Sequence, residues 1–546
     1  MPAQNVHDVP HGFDYDNQPV ASGDGKTKEG GRHSIGHGAE NAEADDLLAV
    51  LGYQSELSRN RSTWQVAFMS FVLASVPYGL ATTLYYPLIG GGPSAIIWGW
   101  VLVCCIIICV AISLGEITSV YPTAGGVYYQ TYMLSPPKWR NITAWICGWA
   151  YVMGNITITL AVNFGTTLFL VGCVNIFQDS EGNGVWAATN WQIWLTFVGI
   201  TLLCNATSSL GNRWLPLLDT FAIFWTFAGV ICIIVCALSL AKGGRNKASY
   251  AFGGFEASSG WTPGWSWCIG LLHGAYATSA TGMILSMCEE VKEPATQVPK
   301  AMVGTIVLNA ICGFIFLVPL CFVLPPIEDV IVASSPVPYI LKIAIGNDGG
   351  AFALTVPLLV LAFFCGVGCT TAASRCTWAF ARDGAIPGSR YWKQVNTKLD
   401  VPLNAMMLSM VVQIILGVIY FGSVAAFNAF SGVGVIFLTI SYTMPILVSL
   451  IGGRKSLKQG HYDFGIFGVI CNVVAICWCL FITPLFSMPS FLPTTPDTMN
   501  YASVVFVGGV AISGAWYLAW GRKNYKGPPA KEEDIARRRS SVISAH

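Results

Sequence analysis

The chain has 546 residues, 54% of them apolar and 10% charged, with a mean hydropathy of +0.58. Soluble domains carry about 25% charged residues, so an ordinary water-soluble enzyme and a disordered chain are excluded. The 29 basic and 28 acidic residues nearly cancel, which leaves no cationic surface for nucleic acid, and no such partner is expected.

In chain order, residues 1–60 are polar and rich in Gly, Asp and His, and are expected to form a disordered cytosolic tail without a signal peptide. Residues 61–521 hold the apolar blocks. A helical bilayer crossing takes about 20 apolar residues, because every backbone amide in lipid must be bonded within the chain. Twelve blocks qualify, at 66–89, 94–119, 142–176, 191–209, 214–240, 265–288, 301–324, 351–372, 402–421, 424–451, 465–487 and 501–520. Inside them only Glu116 and Asp219 are charged. The blocks therefore predict an all-α membrane protein of twelve transmembrane helices.

Lys and Arg resist translocation and so report sidedness. With a cytosolic N-terminus, 25 of the 29 fall on the cytosolic side, leaving Lys242, Arg245, Lys247 and Lys342 outside. Both termini are accordingly expected in the cytosol, and 522–546 reads as a basic tail, with Arg537, Arg538 and Arg539 before Ser540 and Ser541. Juxtamembrane basic residues of this kind anchor topology, although a phosphosite at the serines is an alternative. All 18 Cys lie in or beside the spans, so no disulfide framework, metal or cofactor is expected.

Membrane carriers hold small solutes near the midplane, where two interrupted helices present bare backbone dipoles to a cavity. Two segments have the composition for this. In block one, Ser75-Val76-Pro77-Tyr78-Gly79-Leu80 combines a residue without an N–H with a permissive glycine, and Thr82 and Thr83 follow. In block six, Gly274 to Gly282 is small or hydroxylated throughout except for Tyr276. Small residues also serve close packing of membrane helices. Two such clusters five blocks apart, however, match inverted five-helix repeats, whose first helices are broken.

Candidate substrate contacts are Ser75, Tyr78, Gly79 and Thr82 in block one and Tyr276, Thr278, Ser279, Thr281 and Gly282 in block six. Asn155 in block three either lines the cavity or makes an interhelical bond. Neither break contains an acid, so a substrate cation would meet carbonyl oxygens, hydroxyls or a tyrosine face. A substrate carboxylate would meet amides at a half-helix N-terminus. Glu116 is a candidate inner-gate or proton site, the alternative being a structural ion pair. His273 is a candidate proton carrier because imidazole titrates near neutrality, the alternative being a packing histidine.

Several strings go further than composition. Leu114-Gly115-Glu116-Ile117 with Tyr121-Pro122-Thr123-Ala124-Gly125-Gly126-Val127-Tyr128-Tyr129 resembles the end of helix two and the next loop in permeases of the amino acid/polyamine/organocation superfamily. Glu289-Glu290 with Pro294 and Pro299-Lys300-Ala301 resembles their segment after helix six. Phe380-Ala381-Arg382-Asp383-Gly384-Ala385-Ile386-Pro387 and Val401-Pro402-Leu403-Asn404-Ala405 resemble their loop between helices eight and nine. Met499-Asn500-Tyr501-Ala502-Ser503 is similar to the fungal branch that includes GABA and choline permeases.

The resemblance implies helices 1–5 and 6–10 as two inverted repeats, followed by helices 11–12. It implies secondary active transport of a small amino acid, GABA or choline across the plasma membrane, coupled to H+ or Na+, with substrate held at 75–83 and 277–282. It also implies that Arg382 and Asp383 lock the inward gate, and that Glu289, Glu290 and Lys300 are loop charges whose exposed pairs stabilise little. Of the rivals, a polyamine carrier lacks an intramembrane carboxylate to meet its charges. A non-transporting nutrient sensor would be expected to have longer structured tails.

Overall fold

A computed structural model describes residues 44–54, 56–57, 63–180, 183–333, 335–422, 424–495 and 499–529. Most of the N-terminal tail, Arg537 to Arg539 and the two following serines lie outside them. The described residues form helices, with isolated bridges and no named strand.

Among the described residues, twelve helices are long and apolar enough to cross a bilayer. Spans 1 to 6 are Trp64–Thr83, Tyr85–Val120, Arg140–Val174, Asn190–Leu210, Asn212–Leu240 and Pro263–Glu290. Spans 7 to 12 are Pro294–Phe322, Asp348–Arg382, Leu403–Phe421, Ala429–Ile451, Gly465–Leu485 and Ala502–Asn524. The blocks read from sequence are thus recovered, with shifted ends. Residues 84–89, expected in span 1, lead into span 2 instead, ahead of a kink at Gly91-Gly92 where Gly92 takes φ +60°. Span 8 runs ten residues past its expected end at 372, because Thr377, Trp378 and Phe380 find a buried setting there, and it carries Arg375 into the protein interior.

Spans 1 and 6, 2 and 7, 3 and 8, and 4 and 9 pack directly on one another. Packing of these four spans on their counterparts is what two repeats related by an in-plane axis produce. Spans 1 and 6 are the most enclosed, with 83% and 94% of their apolar windows buried, whereas span 12 is 11% buried and faces outward. Spans 1 and 6 touch where a Cβ on Gly79 would stand 3.3 Å from the Ala277 backbone.

The N-terminal tail departs from expectation at 44–57. Residues 44–50 are helical, and Leu48, Leu51, Tyr53 and Leu57 are buried against the bundle. Their apolar spacing gives this stretch a face to bury even though the tail as a whole is polar.

Candidate functional site

Span 1 is interrupted at Ser75, which alone takes left-handed backbone angles (φ 38°, ψ 50°). The expected break at Pro77 and Gly79 is therefore sharper and slightly earlier. Pro77, with no N–H to lose, occupies the first turn of the second half-helix, Val76–Thr83. The Ser75 carbonyl accepts from the amides of Tyr78 at 2.9 Å and Gly79 at 3.0 Å, closing that turn.

Span 6 changes its winding without unwinding. The α-helix Leu271–Thr278 continues as a 3-10 helix over Ser279–Glu290, far longer than the usual three or four residues. The side chains give a reason. Ser279, Thr281 and Ser286 donate to the carbonyls of Tyr276, Thr278 and Met283, each three residues back, at 2.8, 2.6 and 2.8 Å. Such local bonds compete with α-helical ones.

Where the two interruptions meet, spans 1, 3, 6 and 8 enclose a cavity with free space of about 10 Å³, enough for about one water. Four expected residues line it: Tyr78, Gly79, Tyr276 and Ser279. Leu73, Ala74, Ile158, Val162, Cys365 and Cys369 are among the others, and no lining residue is charged. Span 3 and span 8 contributors were not anticipated; the only sequence sign was the i, i+4 spacing of the two cysteines, which sets them on one helix face.

The other expected contacts do not line the cavity. Ser75 donates to the Val72 carbonyl, Thr82 to the carbonyls of Tyr78 and Gly79, and Thr278 to that of Gly274. Thr281 donates to Thr278, as above, and Asn155 donates its amide to the Tyr151 carbonyl at 2.8 Å. Gly282 is packed beneath Tyr442, whose ring would lie 2.5 Å from a Cβ there. Tyrosine hydroxyls cap the 3-10 segment: Tyr442 donates to the Ser279 carbonyl at 3.0 Å and Tyr151 to that of Gly282 at 3.1 Å.

Glu116 is fully buried, and its Oε1 accepts from Arg454 Nη2 at 2.7 Å and the Phe464 amide at 2.8 Å. This binds span 2 to the turn before span 11. His273 links span 6 to the C-terminal end of span 1 through Nδ1, 3.2 Å from Thr83 Oγ1.

Arg382 and Asp383 sit in a buried cluster at the end of span 8 that also holds Glu289, Tyr53 and Tyr128. Arg382 makes two bonds to Glu289, at 2.8 and 3.0 Å, and its guanidinium lies 3.9 Å from the Tyr53 ring centre and 4.4 Å from that of Trp378. Asp383 accepts from Tyr53 at 2.8 Å and from Tyr128 at 2.8 Å. Burial pushes the Asp383 carboxyl up to about 6, outweighing the lowering by Arg382 and the two phenols. Tyr129 donates to the Leu51 carbonyl at 2.9 Å. The described residues of the stretch before span 1 are thereby fastened to this cluster.

Glu289 and Glu290 correct the expectation of weak, exposed loop charges. Both are buried, at 2% and 6% exposure. Glu290 accepts from Arg375 Nε at 2.7 Å, and Arg375 also reaches Asn212 at 3.1 Å. Glu289 takes the Ala124 amide at 3.1 Å in addition to Arg382. Removing one partner of a buried pair costs roughly 3–5 kcal/mol, so these pairs hold the C-terminal end of span 6 firmly to span 8.

Comparison with known proteins gives a consistent result. A family model described as amino acid permease matches residues 62–511. An uncharacterised amino-acid permease of Schizosaccharomyces pombe is 31% identical, covering 89% of this chain and 90% of its own. A choline transporter of Saccharomyces cerevisiae is 29% identical over 88% and 84%, and a GABA-specific permease of the same yeast is 28% identical over 91% and 87%.

Proposed function

The chain belongs to the amino acid permease family, and we propose that it is a secondary active transporter importing a small zwitterionic amino acid, GABA-like in size, across the plasma membrane. One observation carries this reading: the cavity where two interrupted spans cross contains no charged side chain. A zwitterion's ammonium and carboxylate can be met by the carbonyls and amides of helix ends with no net charge left over, whereas a polyamine would need carboxylates to balance it.

Transport makes and breaks no covalent bond. The first half of span 1 swings about Ser75 while span 6, pinned to span 8 by Glu289 and Glu290, stays with the scaffold. Arg382 and Asp383 close the cytosolic side, and H+ moving down its gradient drives accumulation. Both termini lie in the cytosol on this reading.

A second reading, choline, is favoured by the rings of Tyr78 and Tyr276 at the cavity, since a quaternary ammonium rests on aromatic faces. Uptake of labelled GABA, choline and spermidine into proteoliposomes, under imposed H+ and then Na+ gradients, tests both. Saturable GABA uptake driven by H+ is expected. Choline uptake without GABA uptake replaces the first reading with the second, and a Na+-driven signal replaces the coupling ion.

A further inference from the structure

Span 7 carries a buried amide without a bond. Asn309 is 1% exposed, and among the described residues neither its Oδ1 nor its Nδ2 has a hydrogen-bond partner. Neighbours on the same face of the helix show where it stands. Thr305, one turn earlier, pairs with Ser70 of span 1 at 2.8 Å, and Gly313, one turn later, packs under the Trp100 ring of span 2. Span 7 touches both halves of span 1, Thr63–Ala74 and Val76–Thr83. Its earlier residues Met302 and Ile306 belong to one apolar cluster with Val66, Met69 and Leu73, and its later residues Cys312 and Phe316 to another with Ala74, Val76 and Leu80. The two spans therefore run in the same direction. Counting about 1.5 Å per residue from the Ser70–Thr305 pair brings Asn309 level with the break at Ser75.

A broken helix leaves carbonyls at the end of its first half and amides at the start of its second, and an asparagine side chain offers a donor and an acceptor at once. In this arrangement, with the cavity closed down to about 10 Å³, the break caps itself. The Ser75 hydroxyl donates to the Val72 carbonyl, and the Ser75 carbonyl accepts from the amides of Tyr78 and Gly79. We infer that Asn309 is a positioning residue for the movement of span 1: when the half-helix Thr63–Ala74 swings about Ser75 and these local bonds loosen, the Asn309 amide takes up the freed backbone groups. The inference rests on the transport reading above, in which that half-helix moves. Unbonded in the closed form and bonded in the open one, the amide disfavours closure by about tenfold, in line with the penalty for a buried polar group without a partner. The fold thus stores in span 7 a bias toward opening at the height of the hinge.

Asn309→Leu keeps the size of the side chain and removes the amide, so the penalty leaves the closed form and the bonds leave the open one. Both changes favour closure. The melting temperature of the detergent-purified, full-length variant is expected to rise, whereas loss of an ordinary structural hydrogen bond lowers it. Ala74 lines the cavity, and maleimide labelling of Ala74→Cys in proteoliposomes, read at that position by mass spectrometry, is expected to slow about tenfold when Asn309→Leu is added. Uptake of labelled GABA or choline, whichever is carried, is expected to lose maximal rate with little change in the half-saturating concentration. Asn309→Gln, which keeps the amide, is expected to restore part of the labelling rate, and Asn309→Ala serves the labelling measurement if the leucine variant does not fold. A lower melting temperature in Asn309→Leu shows that the amide is already paired in the closed form, by a water or an ion, and overturns the inference. Labelling that neither apolar variant slows overturns it as well and leaves transport standing. Slowed labelling without uptake of either compound supports the inference and removes only the substrate assignment. An Ala74→Cys thiol that stays unlabelled in the otherwise unaltered protein, with either compound and either ion gradient imposed, shows a half-helix that does not move and overturns the inference together with the transport reading.

Discussion

Acidifying the cytosolic side should hold the inner gate shut, and Asp383 sets the size of the effect. In the closed cluster its carboxyl is pushed up to about 6; once the 44–57 segment lifts and water reaches it, the value returns to about 3.9. The closed form therefore binds the proton more tightly, so closure is favoured in acid and that advantage is lost as pH rises through about 6. Between pH 7 and pH 5 the linkage amounts to about 1.4 kcal/mol, or tenfold in the closed-to-open ratio. Asp383 keeps some contact with solvent, which lowers this to roughly 1 kcal/mol, or about fivefold. The other ionisable groups around it are Tyr53, Tyr128, Tyr129, Tyr525, Arg382 and Glu289; burial pushes the four phenols further above their ordinary range, so none titrates in this window. The assay is efflux of preloaded substrate from vesicles with the cytosolic face outward, at a fixed opposite pH. Release from the unaltered protein should slow about fivefold between pH 7 and pH 5, beyond any slowing seen in Asp383→Asn. An Asp383→Asn protein with the same pH profile would refute the argument.

Tyr53→Phe removes the phenol that donates to both oxygens of Asp383, and bonds to a charged acceptor contribute about 1.5–3 kcal/mol. Cytosolic accessibility of an engineered cysteine in span 1 should rise at least tenfold, and unchanged labelling would show that the segment is not a latch. Gly79→Val and Gly282→Val should abolish uptake with surface expression retained, because the added carbons meet Ala277 at 3.3 Å and the Tyr442 ring at 2.5 Å; normal uptake by both would remove the crossing from the transport path. Glu116→Gln leaves Arg454 buried beside a neutral partner, so the melting temperature of the detergent-purified protein should fall by several degrees while uptake per folded molecule persists. A loss of pH dependence with no loss of stability would instead make Glu116 a proton site.

The spans were legible in the sequence because lipid imposes one rule on every backbone amide, and twenty apolar residues in a row satisfy it whatever the rest of the chain does. The break in span 1 was legible for a similar reason, since Pro77 acts locally, although its effect falls at Ser75, where the turn before the proline must open. Span 6 was harder to read. Thr278 to Gly282 signalled a weak helix, but tightening rather than unwinding depends on Tyr442 and Tyr151 standing ready over its carbonyls from spans 10 and 3. The charges were misjudged most. Glu289 and Glu290 look in sequence like any pair at a helix end, and their burial is decided by Arg382 and Arg375, about ninety residues on, arriving on one face of span 8 two turns apart. Once both carboxylates are anchored there, span 6 is fixed at its C-terminal end, and on the proposed reading motion is left to the half-helix that ends before Ser75. That half-helix is tied to span 7 by the buried Ser70–Thr305 hydroxyl pair at 2.8 Å and to span 8 by weak thiol bonds on the Leu73 carbonyl, long-range contacts of the kind that sequence alone reveals least.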